Sequence, residues 1–186
     1  METIRVEVYG DYACPWVYNT AVWLDRVKRV YRDDLQICWK NFSLEQNAFA
    51  LKEAQNGESP EWKVWEEPDV GKCRSLQAAL AGEAARRQGD ELHGQFHLAL
   101  LEARHGGETR IPLNETEPIA EVAERVGLDM AKFREDLPGS NPAREGRPRP
   151  RGGRFERGVW NADLRLRRRP GGVSEGVRSA GRGRRE

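Results

Sequence analysis

The feature that most constrains the fold is a strand, a helix and a second strand within the first part of the chain. Residues 4–9 alternate apolar and charged side chains, several of them β-branched, which predicts a strand. After a break at Gly10-Asp11, apolar residues recur at helical spacing to about Arg32, and residues 35–42 are again strand-like. Two strands joined by a helical crossover normally pair in parallel. Residues 1–44 are therefore predicted to be a βαβ unit of an α/β fold.

Residues 45–137 are predicted to be a mainly helical region. Its first part, residues 45–73, is polar, contains Trp62 and Trp65, and has no clear period. Three helices and a short last turn should follow, because apolar residues then return at helical spacing between glycine breaks. Their expected ranges are residues 76–89, 90–106, 118–127 and 129–137.

The last part of the chain, residues 138–186, differs sharply in charge from the rest. Residues 1–138 carry 17 Lys and Arg against 25 Asp and Glu, a net of −8, whereas residues 139–186 carry 14 Arg against 5 acids, a net of +9. The overall charge of +1 hides this asymmetry. Apolar residues are scarce in this Arg/Gly/Pro-rich tail, so we expect it to be disordered, with no strand after Leu137.

Cys14 lies where the first strand gives way to the helix, directly before Pro15. Free N–H groups and the positive end of the helix dipole stabilise a thiolate there, and the thiolate is the nucleophile in disulfide exchange. A small buried residue in a turn is the alternative. The coincidence of strand, turn, Cys-Pro and helix favours the nucleophile.

The aromatic side chains around Cys14 are either core residues or the floor of a substrate pocket. For Trp16 the two interpretations are equally supported, whereas helical spacing favours the core for Trp23. His93 and His97, four residues apart on one helix, could form half of a metal site. No third ligand is evident, so a place on the helix surface is favoured and no metal is predicted.

The segment Asp11-x-x-Cys14-Pro15-Trp16-x-Tyr18 resembles the active-site segment of DsbA-like proteins of the FrnE group. Residues 38–44 are similar to that group's next strand, and residues 78–137 to its inserted helical subdomain. The resemblance implies a thioredoxin-like fold with a helical insertion. It also implies thiol–disulfide oxidoreductase activity at Cys14. The residues expected to shape the substrate pocket are Asp11, Tyr12, Pro15, Trp16 and Tyr18.

Val17 stands where that family usually has a second cysteine. A mixed disulfide at Cys14 would then need an external thiol to release it. The predicted partners are protein or small-molecule thiols and disulfides, with no cofactor other than a low-molecular-weight thiol such as glutathione. Cys73, in the polar stretch, is a remote candidate for a resolving thiol, and Cys38 is expected to pack in the sheet.

The resemblance also implies elements that residues 138–186 do not supply. Thioredoxin folds place a cis-proline loop beside the active cysteine, followed by a β-hairpin and a helix. Reading the codons of residues 160–167 one nucleotide later permits Gly-Thr-Pro-Thr-Phe-Val-Phe, which resembles that loop and its strand. A slip of the reading frame near Leu137 is therefore favoured, and the C-terminal βα elements are expected to be missing or degenerate.

Two other functions stay open. One is a glutathione-binding module of the kappa-class transferase or 2-hydroxychromene-2-carboxylate isomerase type, which resembles the same fold but usually has serine at the position of Cys14. The other is a nucleic-acid-binding protein acting through its basic tail, which the scarcity of aromatic residues there disfavours. The chain has neither a signal-peptide pattern nor an apolar stretch long enough to span a membrane, so a cytoplasmic location is expected.

Overall fold

The N-terminal region is a βαβ unit, as the sequence predicts. The computed structural model describes residues 3–57 and 61–137, together with the backbone of residues 153–156 and 159–162. Strand β1 (Ile4–Gly10) leads to helix α1 (Pro15–Tyr31), a turn of 3₁₀ helix (Arg32–Asp34) and strand β2 (Leu35–Phe42). The two strands pair in parallel, with Ile4 opposite Leu35 and Gly10 opposite Asn41. This register brings the ends of β1 and β2 together beside the start of α1.

Helices make up most of the rest of the described chain. The predicted polar stretch begins with an unpredicted helix, α2 (Leu44–Gln55), whose N-cap Ser43 accepts a hydrogen bond from the amide of Gln46. Ser43 and Gln46 have the spacing of a capping box, a signal that a search for apolar periodicity alone overlooks. The other four helices lie close to their predicted ranges. They are α3 (Leu76–Arg86), α4 (Asp90–His105), α5 (Thr116–Arg125) and α6 (Met130–Asp136).

Two short strands occur in the C-terminal part of the chain, β3 (Gly153–Glu156) and β4 (Val159–Ala162). They pair with each other in antiparallel fashion, and β4 also pairs with β2, giving the sheet order β1-β2-β4-β3. The expectation that no strand follows Leu137 is therefore wrong for these eight residues. Aromatic and β-branched residues favour strands even in a short run, and the overall composition masked this run. The remaining predictions for residues 138–186 lie outside the described residues.

The hydrophobic core lies mainly among the helices of residues 76–137. The predicted apolar stripes are buried there, with Phe96, Leu100, Leu101 and Ile119 fully enclosed. Helix α1 packs against α4 and buries Ala21 and Leu24.

Trp23 lies outside this packed face of α1. Its side chain is 61% exposed, so the prediction that it belongs to the core is wrong. Neighbouring residues of a helix point about 100° apart, and the face that meets α4 is centred on Ala21 and Leu24. Within residues 3–57 and 61–137, no helix combines the length and apolarity needed to cross a membrane.

Candidate active site

The loop between β1 and α1 is held in place by the carboxylate of Asp11. This side chain is buried, with Oδ1 accepting a hydrogen bond from the amide of Ala13 at 2.8 Å and Oδ2 accepting one from the amide of Leu44 at 2.8 Å. The first bond closes the turn before Cys14, and the second ties that turn to the start of α2. Asp11 therefore shapes the site by fixing the backbone that carries the cysteine.

Cys14 is the N-cap residue of α1. Its backbone is extended (φ −92°, ψ 116°), Pro15 occupies the first turn, and the cysteine side chain makes no capping hydrogen bond. Its amide donates to the carbonyl of Asp11 at 2.9 Å, which completes the turn. The thiol is half-buried, at the end of the helix where the dipole favours negative charge. The predicted position of Cys14 at a strand-to-helix junction is confirmed.

Val17 occupies the position three residues after Cys14 and faces the end of β1. A Cβ built on Gly10 would lie 2.7 Å from Val17 Cγ1, so only glycine fits at this close approach. The other two cysteines are also free. Cys38 lies half-buried in β2, which confirms its predicted place in the sheet. Cys73, the remote candidate for a resolving thiol, is only 2% exposed and belongs to the core although its sequence neighbourhood is polar.

Tyr12 fills the space beneath the active-site loop. Its ring is 2% exposed and its hydroxyl lies 2.9 Å from His97 Nδ1. Burial raises the pKa of Tyr12 above its ordinary value, so the phenol is neutral. A Cβ on Gly82 of α3 would lie 2.7 Å from this hydroxyl, and the glycine therefore makes room for it. Of the two interpretations of Tyr12, core or pocket floor, the structure favours the core.

His93 and His97 are both buried, at 4% exposure, so their predicted place on the helix surface is wrong. The ring of His97 stacks on Trp39 with 4.1 Å between ring centroids. Burial, with a smaller contribution from the charge of Arg86, lowers the pKa of His93 to about 3. Burial, followed by the charges of His93 and Arg86, lowers the pKa of His97 well below its usual range. His97 Nε2 has no hydrogen-bond partner within the described residues.

A polar network around Arg86 surrounds this histidine pair. Arg86 Nη2 donates to the carbonyl of Trp39 at 2.7 Å and lies 3.2 Å from His93 Nε2. Arg86 also pairs with Glu83, which accepts a hydrogen bond from Asn41 Nδ2 at 2.9 Å. A guanidinium at this position repels cations, and no group of three metal-ligating side chains occurs in the described part of the chain. Through these contacts the pair belongs to a hydrogen-bonded network that links α3 and α4 to β2.

His105 supports the loop from its other side. Its Nε2 lies 2.9 Å from the carbonyl oxygen of Tyr12, and because a carbonyl only accepts, this nitrogen carries the hydrogen. The ring stacks on Tyr18 of α1 with centroids 6.2 Å apart. The sequence gives one signal for this role, since His105 follows His97 by about two helical turns and so lies on a similar side of α4. Trp16, two residues after Cys14, is 75% exposed and accessible to a substrate.

An open cleft of about 360 Å³ lies at the start of α1, with Cys14 itself outside its lining residues. Ala13 and Pro15, the two residues that flank Cys14, both line it. The side chains that complete its wall are Tyr18, Asn19, Arg74, Arg104, His105 and Arg110. Sequence reasoning missed these arginines, because they come from separate segments that only the fold brings together.

The family model described as the DSBA-like thioredoxin domain matches residues 5–145, which is most of the chain. This match supports the predicted thioredoxin-like α/β fold and, in general terms, a thiol–disulfide oxidoreductase type of function. No curated protein matches the chain.

Proposed function

Because the chain belongs to the DSBA-like thioredoxin domain family, we propose that it is a thiol–disulfide oxidoreductase that acts through a single nucleophilic cysteine, Cys14. The observation that carries the proposal is the position of this residue as the N-cap of α1, half-buried and with no capping hydrogen bond to its side chain. Neither of the other cysteines in the chain has such a position. Cys38 lies within a strand and Cys73 within the core.

The reaction is an exchange in two steps. The Cys14 thiolate attacks one sulfur of a substrate disulfide, a new bond forms to that sulfur, and the old S–S bond breaks with its electron pair leaving on the second substrate sulfur. That thiolate takes a proton from water. A second thiolate then attacks the substrate sulfur of the mixed disulfide, which forms a new disulfide and returns the Cys14 thiolate. Electrons and protons balance without any cofactor.

Val17 gives this cycle its single-thiol character. With valine three residues after Cys14, the mixed disulfide has no neighbouring thiol to attack it. Release therefore depends on a protein thiol or a low-molecular-weight thiol from solution. The exposed ring of Trp16, two residues after Cys14, provides an apolar surface on which such a partner can lie.

Alkylation of the folded protein tests the proposal. At pH 6–7, iodoacetamide should modify Cys14 well ahead of Cys38, with Cys73 slowest because it is buried. Peptide mass mapping over time gives the three rates, and unfolded protein gives the reference rates. Exchange between a thiol and a disulfide should be lost in Cys14→Ser and retained in the matched control Cys38→Ser. Equal rates at the three cysteines, or exchange that survives Cys14→Ser, would overturn the proposal.

A further inference from the structure

We propose that the cleft beside Cys14 binds the anionic groups of a small carboxylate-bearing thiol or disulfide, and so selects negatively charged substrates for exchange. This inference rests on the proposed function and names its substrate class. The cleft encloses about 360 Å³, within the size range of small-molecule sites, and is concave. A ligand of that size bound there lies next to the two residues that flank Cys14.

The charged side chains that line the cleft are all positive. Arg74, Arg104 and Arg110 line it, and no acidic residue does. Each of the ion pairs found in the described part of the chain involves other cations, so these three guanidinium groups have no carboxylate within 4 Å there. Three positive charges with no carboxylate partner among the described residues make the cleft suited to a ligand that brings negative charge.

The individual arginines leave their donors available to a ligand. Arg104 uses Nη1 to donate to the carbonyl of Ile111 at 2.8 Å, which orients the group, and its other N–H groups have no further partner among the described residues. Arg74 and Arg110 are exposed side chains that can close on a ligand. Arginine is the side chain best suited to bind carboxylates, because its planar fork matches both carboxylate oxygens.

The N-terminal end of α1 adds to the positive electrostatic potential of the cleft. Pro15 and Tyr18 belong to its first turn and both line the cleft, so the positive end of the helix dipole lies at its edge. His105, whose Nε2 donates to Tyr12, stacks on Tyr18 and gives the wall a fixed aromatic part. Carboxylate recognition and the nucleophile thus share one helix terminus, because Cys14 is the N-cap of α1 and its two neighbours, Ala13 and Pro15, line the cleft.

Three disulfides that differ in charge test the proposal on the full chain. Oxidised glutathione is anionic, bis(2-hydroxyethyl) disulfide is neutral and cystamine is cationic. The rate at which each forms a mixed disulfide at Cys14 is measured by intact mass at low salt. Each rate is divided by the rate at which the same disulfide reacts with a free model thiol. This ratio should be highest for oxidised glutathione and lowest for cystamine. Added salt should reduce the difference, because exposed charges are screened.

The decisive variant is the double substitution Arg74→Gln, Arg110→Gln. Both side chains are exposed, and the amide of Arg74, which donates to Glu45 at 3.1 Å, is retained. The rate with oxidised glutathione should fall about tenfold, the loss expected for two exposed ion pairs together, while the rate with the neutral disulfide changes little. Arg26→Gln, about three turns further along α1, is the matched control and should change neither rate. Thermal melting checks that the variants remain folded.

The outcomes separate this inference from the proposed function. If Cys14 reacts with none of the three disulfides, the proposed function fails. If it reacts with all three at rates that follow their intrinsic reactivity, or if the arginine variant slows all three alike, the cleft does not select by charge and the inference is wrong. Binding of glutathione that the arginine variant abolishes, without any mixed disulfide, would support the anion site and overturn the redox role of Cys14.

Discussion

The contact between Gly82 and Tyr12 gives a prediction in which the sign of a substitution depends on a single hydroxyl. In most helices, replacing an interior glycine by alanine stabilises the protein by about 1 kcal/mol. At Gly82 the new Cβ would lie 2.7 Å from the Tyr12 hydroxyl, which cannot easily move because it is buried and bonded to His97. Overpacking of this kind costs about 1–3 kcal/mol. Gly82→Ala should therefore lower the free energy of unfolding despite its better helix propensity.

Removing the hydroxyl should reverse this effect. In Tyr12→Phe the nearest ring carbons lie 3.5 Å from the same Cβ, an ordinary contact distance. Tyr12→Phe alone should cost about 1–3 kcal/mol, since His97 then loses its one hydrogen bond in a buried place. Adding Gly82→Ala to Tyr12→Phe should be neutral or stabilising, because the helix propensity gain is no longer opposed. The double-mutant cycle should thus show a coupling of at least about 1 kcal/mol.

Urea unfolding followed by circular dichroism measures the four proteins of this cycle. For a chain of this length, each kcal/mol also corresponds to a change in melting temperature of about 2–4 °C, which provides an independent check. Ala79→Gly, at a partly exposed position of α3, serves as a control for helix propensity. Additive effects of the two substitutions, or a stabilised Gly82→Ala single variant, would refute the close approach of Gly82 and the Tyr12 hydroxyl.

Three further predictions concern the same network and loop. Burial lowers the pKa of His93 to about 3 in the folded state, so as the pH falls the unfolded chain takes up a proton first. The free energy of unfolding should therefore decrease as the pH falls from about 6.5 toward 3, by up to about 1.4 kcal/mol per pH unit. His93→Gln should flatten that slope in urea titrations at several pH values, and an unchanged slope would contradict the assignment. Val17→Cys should shorten the lifetime of a mixed disulfide at Cys14, measured by mass spectrometry without added thiol. If the unsubstituted chain releases its mixed disulfide at a rate that does not depend on added thiol, another cysteine of the chain resolves that disulfide. Asp11→Ala leaves two backbone amides without their acceptor and should cost about 1–3 kcal/mol for each one that stays buried, whereas Asp25→Ala on the surface of α1 should cost far less.

Sequence reasoning succeeded where the signal is local. The alternation of residues 4–9, the helix after Pro15 and the junction at Cys14 each depend on a few neighbouring residues, and the structure has all of them. It failed where burial depends on distant partners. Trp23 has the spacing of a core residue, yet the face that α4 covers is a different one. Sequence reasoning also missed the cleft, because Arg74 and Arg110 line it together although they are far apart in the chain.

The histidines of α4 show why the helical region cannot be separated from the active site. His97 holds the hydroxyl of Tyr12 and His105 holds its carbonyl, so one helix fixes both ends of the residue two positions before Cys14. Arg86 of α3 holds the carbonyl of Trp39 in β2, the strand beside β1. The βαβ unit alone would leave these groups without partners and the loop without support. The geometry that places Cys14 at the start of α1 is therefore a property of the βαβ unit and the helical region together.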